Sequence, residues 1–335
     1  IASKTMGGGI SRQDWYPVAG GESAFIAFDD TDNPRVTYGT SIQGFVDAYD
    51  VVNQTSKDIM AHPSINLGTQ PKDQPYRWNW NNPIINGYKA KNVLYHGAQL
   101  VLESTDGGYN WKEISPDLTR NDPSKHDSMG VPFTNEAAGG EVYNTISYLA
   151  NSMHEPEVLY AGSDDGLVHI RKDEGSEWMN ISPLVEGESL VNAIEISPHD
   201  PAKVYVVITR YKFGDHRPFI FRSTDYGQTW ENIGANLMDS DFVRVVREDP
   251  NLEGLLYAGT ERGLYISFDD GQSWSAFQSN LPVCPITDLI IKDNDLVAST
   301  SGRGFWILDD LGGLQQGKGQ LDSVQIALIQ PKPTH

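Results

Sequence analysis

A few of the chain's 45 acidic residues stand where chemistry is possible. Cleaving a glycosidic bond takes two carboxyl groups facing one sugar linkage, about 5–5.5 Å apart for retention or about 6.5–9.5 Å for inversion. Glu22, Glu141 and Asp241 are the candidates, though spacing alone selects no pair among them. Arg244, Arg262 and Arg303 lie in successive units, but no arrangement specific to holding a carboxylate accompanies them. Arg303, within Ser301-Gly302-Arg303-Gly304, can instead bond neighbouring carbonyls. Trp78 and Trp80 have the same parity, so on a strand they share a face. There they either stack on sugar rings or fill the gap between two sheets. Asp29, Asp30 and Asp32, and the turn Ser163-Asp164-Asp165-Gly166, are oxygen-rich enough to hold Ca²⁺, without the twelve-residue calcium loop. No other cofactor is implied. The eight His show no ligand spacing, and the single Cys284 is expected to be buried and inert.

Such groups need a frame, and the frame is a repeat. Ser104-Thr105-Asp106-Gly107-Gly108-Tyr109-Asn110-Trp111 recurs as Ser223–Trp230 and as Ser267–Trp274. A worn copy keeps Asp173, Gly175 and Trp178. The Asp can accept from backbone N–H groups ahead of it and fix a turn. Gly supplies positive φ, and the Trp opens the next strand as an apolar anchor. Before each copy lies a short β-rich run such as Val93-Leu94-Tyr95-His96-Gly97 or Leu255-Leu256-Tyr257-Ala258-Gly259. Val36-Thr37-Tyr38-Gly39 and Leu296-Val297-Ala298-Ser299 mark two units without the box. Six units are visible, with Pro- and Asp-rich turns between them.

The box resembles the Asp-box, or BNR, repeat of β-propellers, shared by sialidases, xyloglucan-active glycosidases, sortilin-type receptors and photosystem assembly factors. At roughly 40–50 residues per blade, the resemblance implies an all-β propeller of six to seven four-stranded blades. It also implies boxes on the outer edge, so Asp106, Asp173, Asp225 and Asp269, with Trp111, Trp178, Trp230 and Trp274, are expected to be structural. Longer stretches look like the second half of large exported bacterial BNR-repeat, sortilin N-terminal-like "glycosyl hydrolase" proteins. Among them are Tyr76–Asn81, Asp241–Pro250 and Ser301–Asp310. That likeness implies a tandem-propeller protein, with this propeller over 1–314, incomplete at its N-terminus, and a tail or connector over 315–335. Xyloglucan-active enzymes set one catalytic Asp from each of two propellers across a cleft. Gly20-Gly21-Glu22-Ser23 resembles the entry that carries one, with Glu22 in place of Asp.

Propeller ligands meet the loops ahead of each innermost strand. Aligned on their turns, the units place Ser23, Ser147, Asn192, Asp241 and Asp288 there. A net charge of −20 argues against nucleic acid and anionic membrane surfaces, and no run approaches 18 apolar residues. The expected function is an exported module at the cell surface, in the periplasm or outside the cell. It binds a polysaccharide or a protein partner, such as another propeller of the same polypeptide. The alternatives are a glycoside hydrolase working between two propellers and a sortilin-like peptide receptor.

Overall fold

The computed structural model describes residues 17–22, 25–30, 34–64, 66, 68–130, 132, 142–173, 175 and 177–317. They form six antiparallel sheets arranged as the blades of a propeller. Blade one holds β1 (Ile26–Phe28), β2 (Val36–Ser41), β3 (Phe45–Asp50) and β4 (Thr55–Asp58). Blade two holds β5 (Ile84–Asn86), β6 (Leu94–Gly97), β7 (Val101–Ser104) and β8 (Lys112–Glu113). β9 (Ile146–Asn151), β10 (Leu159–Ser163), β11 (Val168–Arg171) and β12 (Met179–Asn180) make blade three. β13 (Leu190–Ile196), β14 (Val204–Arg210), β15 (Asp215–Ser223) and β16 (Glu231–Asn232) make blade four. Blade five is β17 (Val243–Glu248), β18 (Leu256–Thr260), β19 (Leu264–Ser267) and β20 (Ser275–Ala276). Blade six has three described strands, β21 (Ile286–Lys292), β22 (Asp295–Thr300) and β23 (Gly304–Leu308), followed by the short helix α1 (Gly312–Gln316).

The first strands of neighbouring blades pack on one another, so they line the centre, and the fourth strands lie outside. The recurring β-rich runs are the second strands, buried on both faces. Their tyrosines Tyr38, Tyr95, Tyr160, Tyr205 and Tyr257 are all in the core. Each box is the hairpin between third and fourth strands, as expected. Residues 318–335 lie outside the described residues. The described chain passes the expected boundary at 314, since the Gln315 amide bonds back to Asp249 and Asn294.

Within the box the work is divided. The Ser223 hydroxyl donates to Asp225 Oδ1 at 2.7 Å and accepts from the Gly227 N–H at 2.8 Å. Asp225 then accepts from the Thr229 N–H and hydroxyl at 2.9 and 2.7 Å. Asp106 and Asp269 repeat the pattern with Asn110 and Ser273. These bonds, from Thr229 first, hold the Asp225 carboxyl down at about 2.

The Trp does more than anchor its own strand. Each indole N–H donates to an isoleucine carbonyl of the preceding blade: Trp111 to Ile59, Trp178 to Ile114, Trp230 to Ile181 and Trp274 to Ile233. The distances run from 2.6 Å at Trp230 to 2.9 Å at the other three. The four rings are half-buried between blades, packed against the core clusters. In the three full boxes the second contact is steric. A Cβ on Gly108, Gly227 or Gly271 would sit 2.3–2.5 Å from Cδ1 of Ile59, Ile181 or Ile233. Gly175 in the worn box has open space instead.

That difference gives a paired expectation. Both Gly227 and Gly175 have positive φ, so Ala at either costs about 1–2 kcal/mol for the left-handed backbone. Gly227→Ala adds overpacking against Ile181, about 1–3 kcal/mol. Urea unfolding should show Gly227→Ala clearly less stable than Gly175→Ala. Equal losses would mean that the glycine serves the turn alone.

Candidate functional site

The channel wall begins with an irregularity that the sequence did not announce. In blades three to six the pairing of first and second strands slips by one residue at the strand entry. The extra residues are Ser147, Asn192, Arg244 and Thr287, a β-bulge at the same place in four blades. Thr287, not Asp288, is therefore the structural equivalent of Ser147 and Asn192. Bulging turns polar side chains sideways, and they are used to join blades. Ser147 Oγ donates to the Val191 carbonyl at 2.7 Å, and Asn192 Nδ2 to the Arg244 carbonyl at 2.6 Å. Arg244 itself forks onto Glu261 at 2.7 and 2.9 Å. Asn192 and Arg244 were candidates for ligand binding, and both are committed to the fold.

Further along the same strands lies a cluster that sequence reading missed. Arg247 of β17 donates to Tyr148 Oη of blade three at 3.0 Å, Glu195 of blade four at 3.3 Å and Asp288 of blade six at 2.9 Å. Its Nε donates to the Leu289 carbonyl. Phe25 meets Tyr148 edge-on from blade one, with ring centroids 6.2 Å apart. Five blades thus meet through one guanidinium and one phenol. Beside this cluster a cavity of about 300 Å³ opens between Met153, Asn151, Ile196 and Ile290. The signal was present in the unusual charge of Val243-Arg244-Val245-Val246-Arg247, but charge alone does not tell which of two arginines faces inward.

At the strand-entry face Asp241, Asp164 and Asp165 are enclosed. Asp241 is fully buried; its Oδ2 accepts from Thr260 Oγ1 at 3.0 Å and from Tyr265 Oη at 3.3 Å, and burial raises its pKa. Its Oδ1 has no partner. A carboxylate so enclosed does not face a sugar, which corrects its place as a catalytic candidate. Asp164 accepts from the Thr145 N–H and hydroxyl at 2.9 and 2.7 Å, and Asp165 from Asn144 and the Arg120 N–H. Both are tied into the junction of blades two and three, so the Asp164–Asp165 turn is spoken for. Asp29 likewise accepts from the N–H groups of Arg35 and Val36, and Asp30 pairs with Lys91 at 2.8 Å. Among the described residues no group of three or more His, Cys, Asp or Glu could hold a metal ion. Asp32, Ser23 and Glu141 lie outside the described residues. Glu22 is exposed at the entry of blade one.

The aromatic pair does not lie on a strand. Trp78 is buried, stacked on His96 with centroids 4.5 Å apart, and a Cβ on Gly44 would strike it. It fills the gap between blades one and two and is withdrawn as a ligand contact. Trp80 is half-buried at the entry face, between Asn79 and the loop to β5. Asn79 bonds Thr145 and Asn82 bonds the Ser41 carbonyl, so this loop spans three blades. Arg303 is exposed and donates to the Gly302 carbonyl at 3.1 Å.

Two of these carboxyls set a pH dependence. Burial is the main cause holding Glu195 up at about 7, and burial together with adjacent Asp165 holds Asp164 up at about 8. Between pH 4 and those values the folded chain keeps protons that the unfolded chain has lost. Stability therefore falls as pH rises through this window. The thermal midpoint should be lower at pH 8.5 than at pH 5.5. Asp164→Asn or Glu195→Gln should each narrow the gap; an unchanged gap in both variants would place the effect elsewhere.

With this geometry in view, likeness to known proteins becomes informative. The BNR/Asp-box repeat model matches residues 265–276, the third full box. A xyloglucanase of Acetivibrio thermocellus is 33% identical over 185 residues, 50% of this chain and 20% of the enzyme. A probable oligoxyloglucan-reducing end-specific xyloglucanase of Neosartorya fischeri is 24% identical over 74% of this chain and 35% of its own length. The chain thus spans about a fifth to a third of these curated relatives. The crystal structure of the GH74 xyloglucanase from Xanthomonas campestris superposes with a TM-score of 0.58 at 15% identity, over 84% of this chain and 44% of that one. It supports the fold alone. No helix among the described residues is long and apolar enough to cross a membrane. The described residues form a six-bladed β-propeller bearing the BNR/Asp-box repeat, and the chain is similar over about half its length to xyloglucanases.

Proposed function

We propose that this propeller is an exported binding module for a plant-type β-glucan such as xyloglucan, forming one wall of a groove whose other wall is a further domain of the same polypeptide. The observation that carries this reading is how the polar residues of the entry face are used. Asp241, Asp164, Asp165, Asn192 and Arg244 all bond within or between blades. Half-buried Trp80 and exposed Arg262 and Arg303 are among the aromatic and cationic groups that reach solvent there. An aromatic platform with scattered hydrogen-bonding groups suits a neutral sugar chain. The likeness to xyloglucanases supports that class of ligand. A second reading, hydrolysis shared with an absent propeller, is favoured by Glu22, an exposed carboxylate at the entry of blade one. Peptide uptake through the channel is disfavoured, because Arg247 and Tyr148 bridge its walls.

Electrophoresis in gels containing xyloglucan tests the proposal. The chain should be retarded by xyloglucan and should release no reducing sugar from it. Trp80→Ala should weaken binding by about tenfold, equivalent to roughly 1.4 kcal/mol. Hydrolysis that vanishes in Glu22→Gln would replace the binding reading with the catalytic one, and mobility unchanged by the polysaccharide would end it.

A further inference from the structure

The second and third strands of each blade join at the strand-entry face, opposite the boxes. In blade four that hairpin is drawn out. Val207 and its β15 partner Ile220 are separated by residues 208–219. At the equivalent level Gly259 and Leu264 of blade five are separated by 260–263 alone, and Gly162 and Val168 of blade three by 163–167. β15 is accordingly the longest described strand, at nine residues. Chain that extends beyond what its sheet needs, on a rigid scaffold, is where binding residues concentrate.

The hairpin carries an aromatic stack. Its 3-10 turn Tyr211–Phe213 lays Tyr211 on Phe242 of the loop into β17, with ring centroids 4.8 Å apart and planes 7° from parallel. His216 tilts onto Phe242 with centroids 5.7 Å apart. Arg244 flanks both rings, 5.4 and 5.0 Å from their centroids, while its guanidinium stays forked on Glu261. Phe242 is buried and forms the base; Tyr211 is half-buried and His216 exposed. The frame is stiffened by Asp215, which accepts from Arg210 at 2.8 Å and from Arg217 at 2.8 and 3.0 Å.

What sets this corner apart is unspent hydrogen-bonding capacity. Asp241, Asp164, Asn192 and Arg244 use theirs inside the fold. The Tyr211 hydroxyl, the His216 ring nitrogens and the exposed Arg262 guanidinium, two residues past Thr260, bond no described residue. A ring with a polar tip, beside donors and acceptors that the fold does not use, matches the stacked face and the hydroxyls of a sugar. The corner is also continuous with Trp80. Lys212 at the hairpin tip is within electrostatic reach of Asp164, and Asn79, the neighbour of Trp80, donates to that same carboxylate at 3.3 Å.

We propose that the blade-four hairpin forms a second sugar platform on the entry face. Tyr211 stacks on the same β-glucan chain that Trp80 engages, and the Tyr211 hydroxyl, His216 and Arg262 bond its hydroxyl groups. This rests on the glucan-binding reading above and adds to it a second, separately removable point of contact.

Electrophoresis in gels containing xyloglucan or polygalacturonate tests it on the intact chain. Xyloglucan should retard the parent. Tyr211→Ala should weaken that binding by about tenfold and His216→Ala by about threefold, each with the thermal midpoint of the parent. Tyr211→Phe, which keeps the stack, should lose no more than about threefold. A parent that xyloglucan does not retard ends the glucan-binding reading and this inference together. Retardation weakened by Trp80→Ala but not by Tyr211→Ala or His216→Ala overturns this inference alone. So does a loss in Tyr211→Ala, with a lowered midpoint, that His216→Ala does not share, because the tyrosine is then structural. Retardation by polygalacturonate that Arg262→Ala abolishes would replace the neutral glucan at this corner with an acidic polysaccharide.

Discussion

The contact on which this propeller depends is an indole N–H seated on the carbonyl of the blade before it. Each such bond contributes about 1 kcal/mol net, but it also fixes where a large half-buried ring lies. In the full boxes the same isoleucine that offers its carbonyl presses its side chain onto the box glycine. The Ser and Asp of the box hold the turn that brings Gly and Trp to that isoleucine together. A motif that looks like a device for making a hairpin is therefore also a device for spacing blades. The worn copy separates the two roles, since Trp178 still reaches Ile114 while Gly175 touches nothing.

A similar economy governs the centre. Bulges at the start of four first strands turn Ser147, Asn192, Arg244 and Thr287 out of the regular alternation. Two of them donate directly to the next blade, and Arg247 gathers Tyr148, Glu195 and Asp288 across the middle. Burying these groups is tolerable only because they are mutually satisfied. Polar residues that look like a ligand-binding ring are in large part the fastening of the ring itself.

The readable part of the sequence was the part with local causes. Box spacing, Pro/Asp turns and the second-strand tyrosines depend on neighbours within a few residues, and six units became six blades. Trp78 was misplaced on a strand because parity was applied where the chain is irregular, and its stacking on His96 is a contact 18 residues away in sequence. Asp241 was singled out for its position, but its burial by Thr260 and Tyr265 comes from the far side of the blade. Asp288 was aligned one residue out: the bulge residue of its blade, equivalent to Ser147 and Asn192, is Thr287. The Arg247 cluster was missed because its members come from four different strands.

The box contacts also have a direction. Trp111, Trp178, Trp230 and Trp274 all reach back to a blade made earlier in the chain, and none reaches forward. During synthesis, each new blade finds its docking carbonyl already in place, and no clasp waits on residues still inside the ribosome. The clasps can therefore close in the order in which the blades are made, from the N-terminal side.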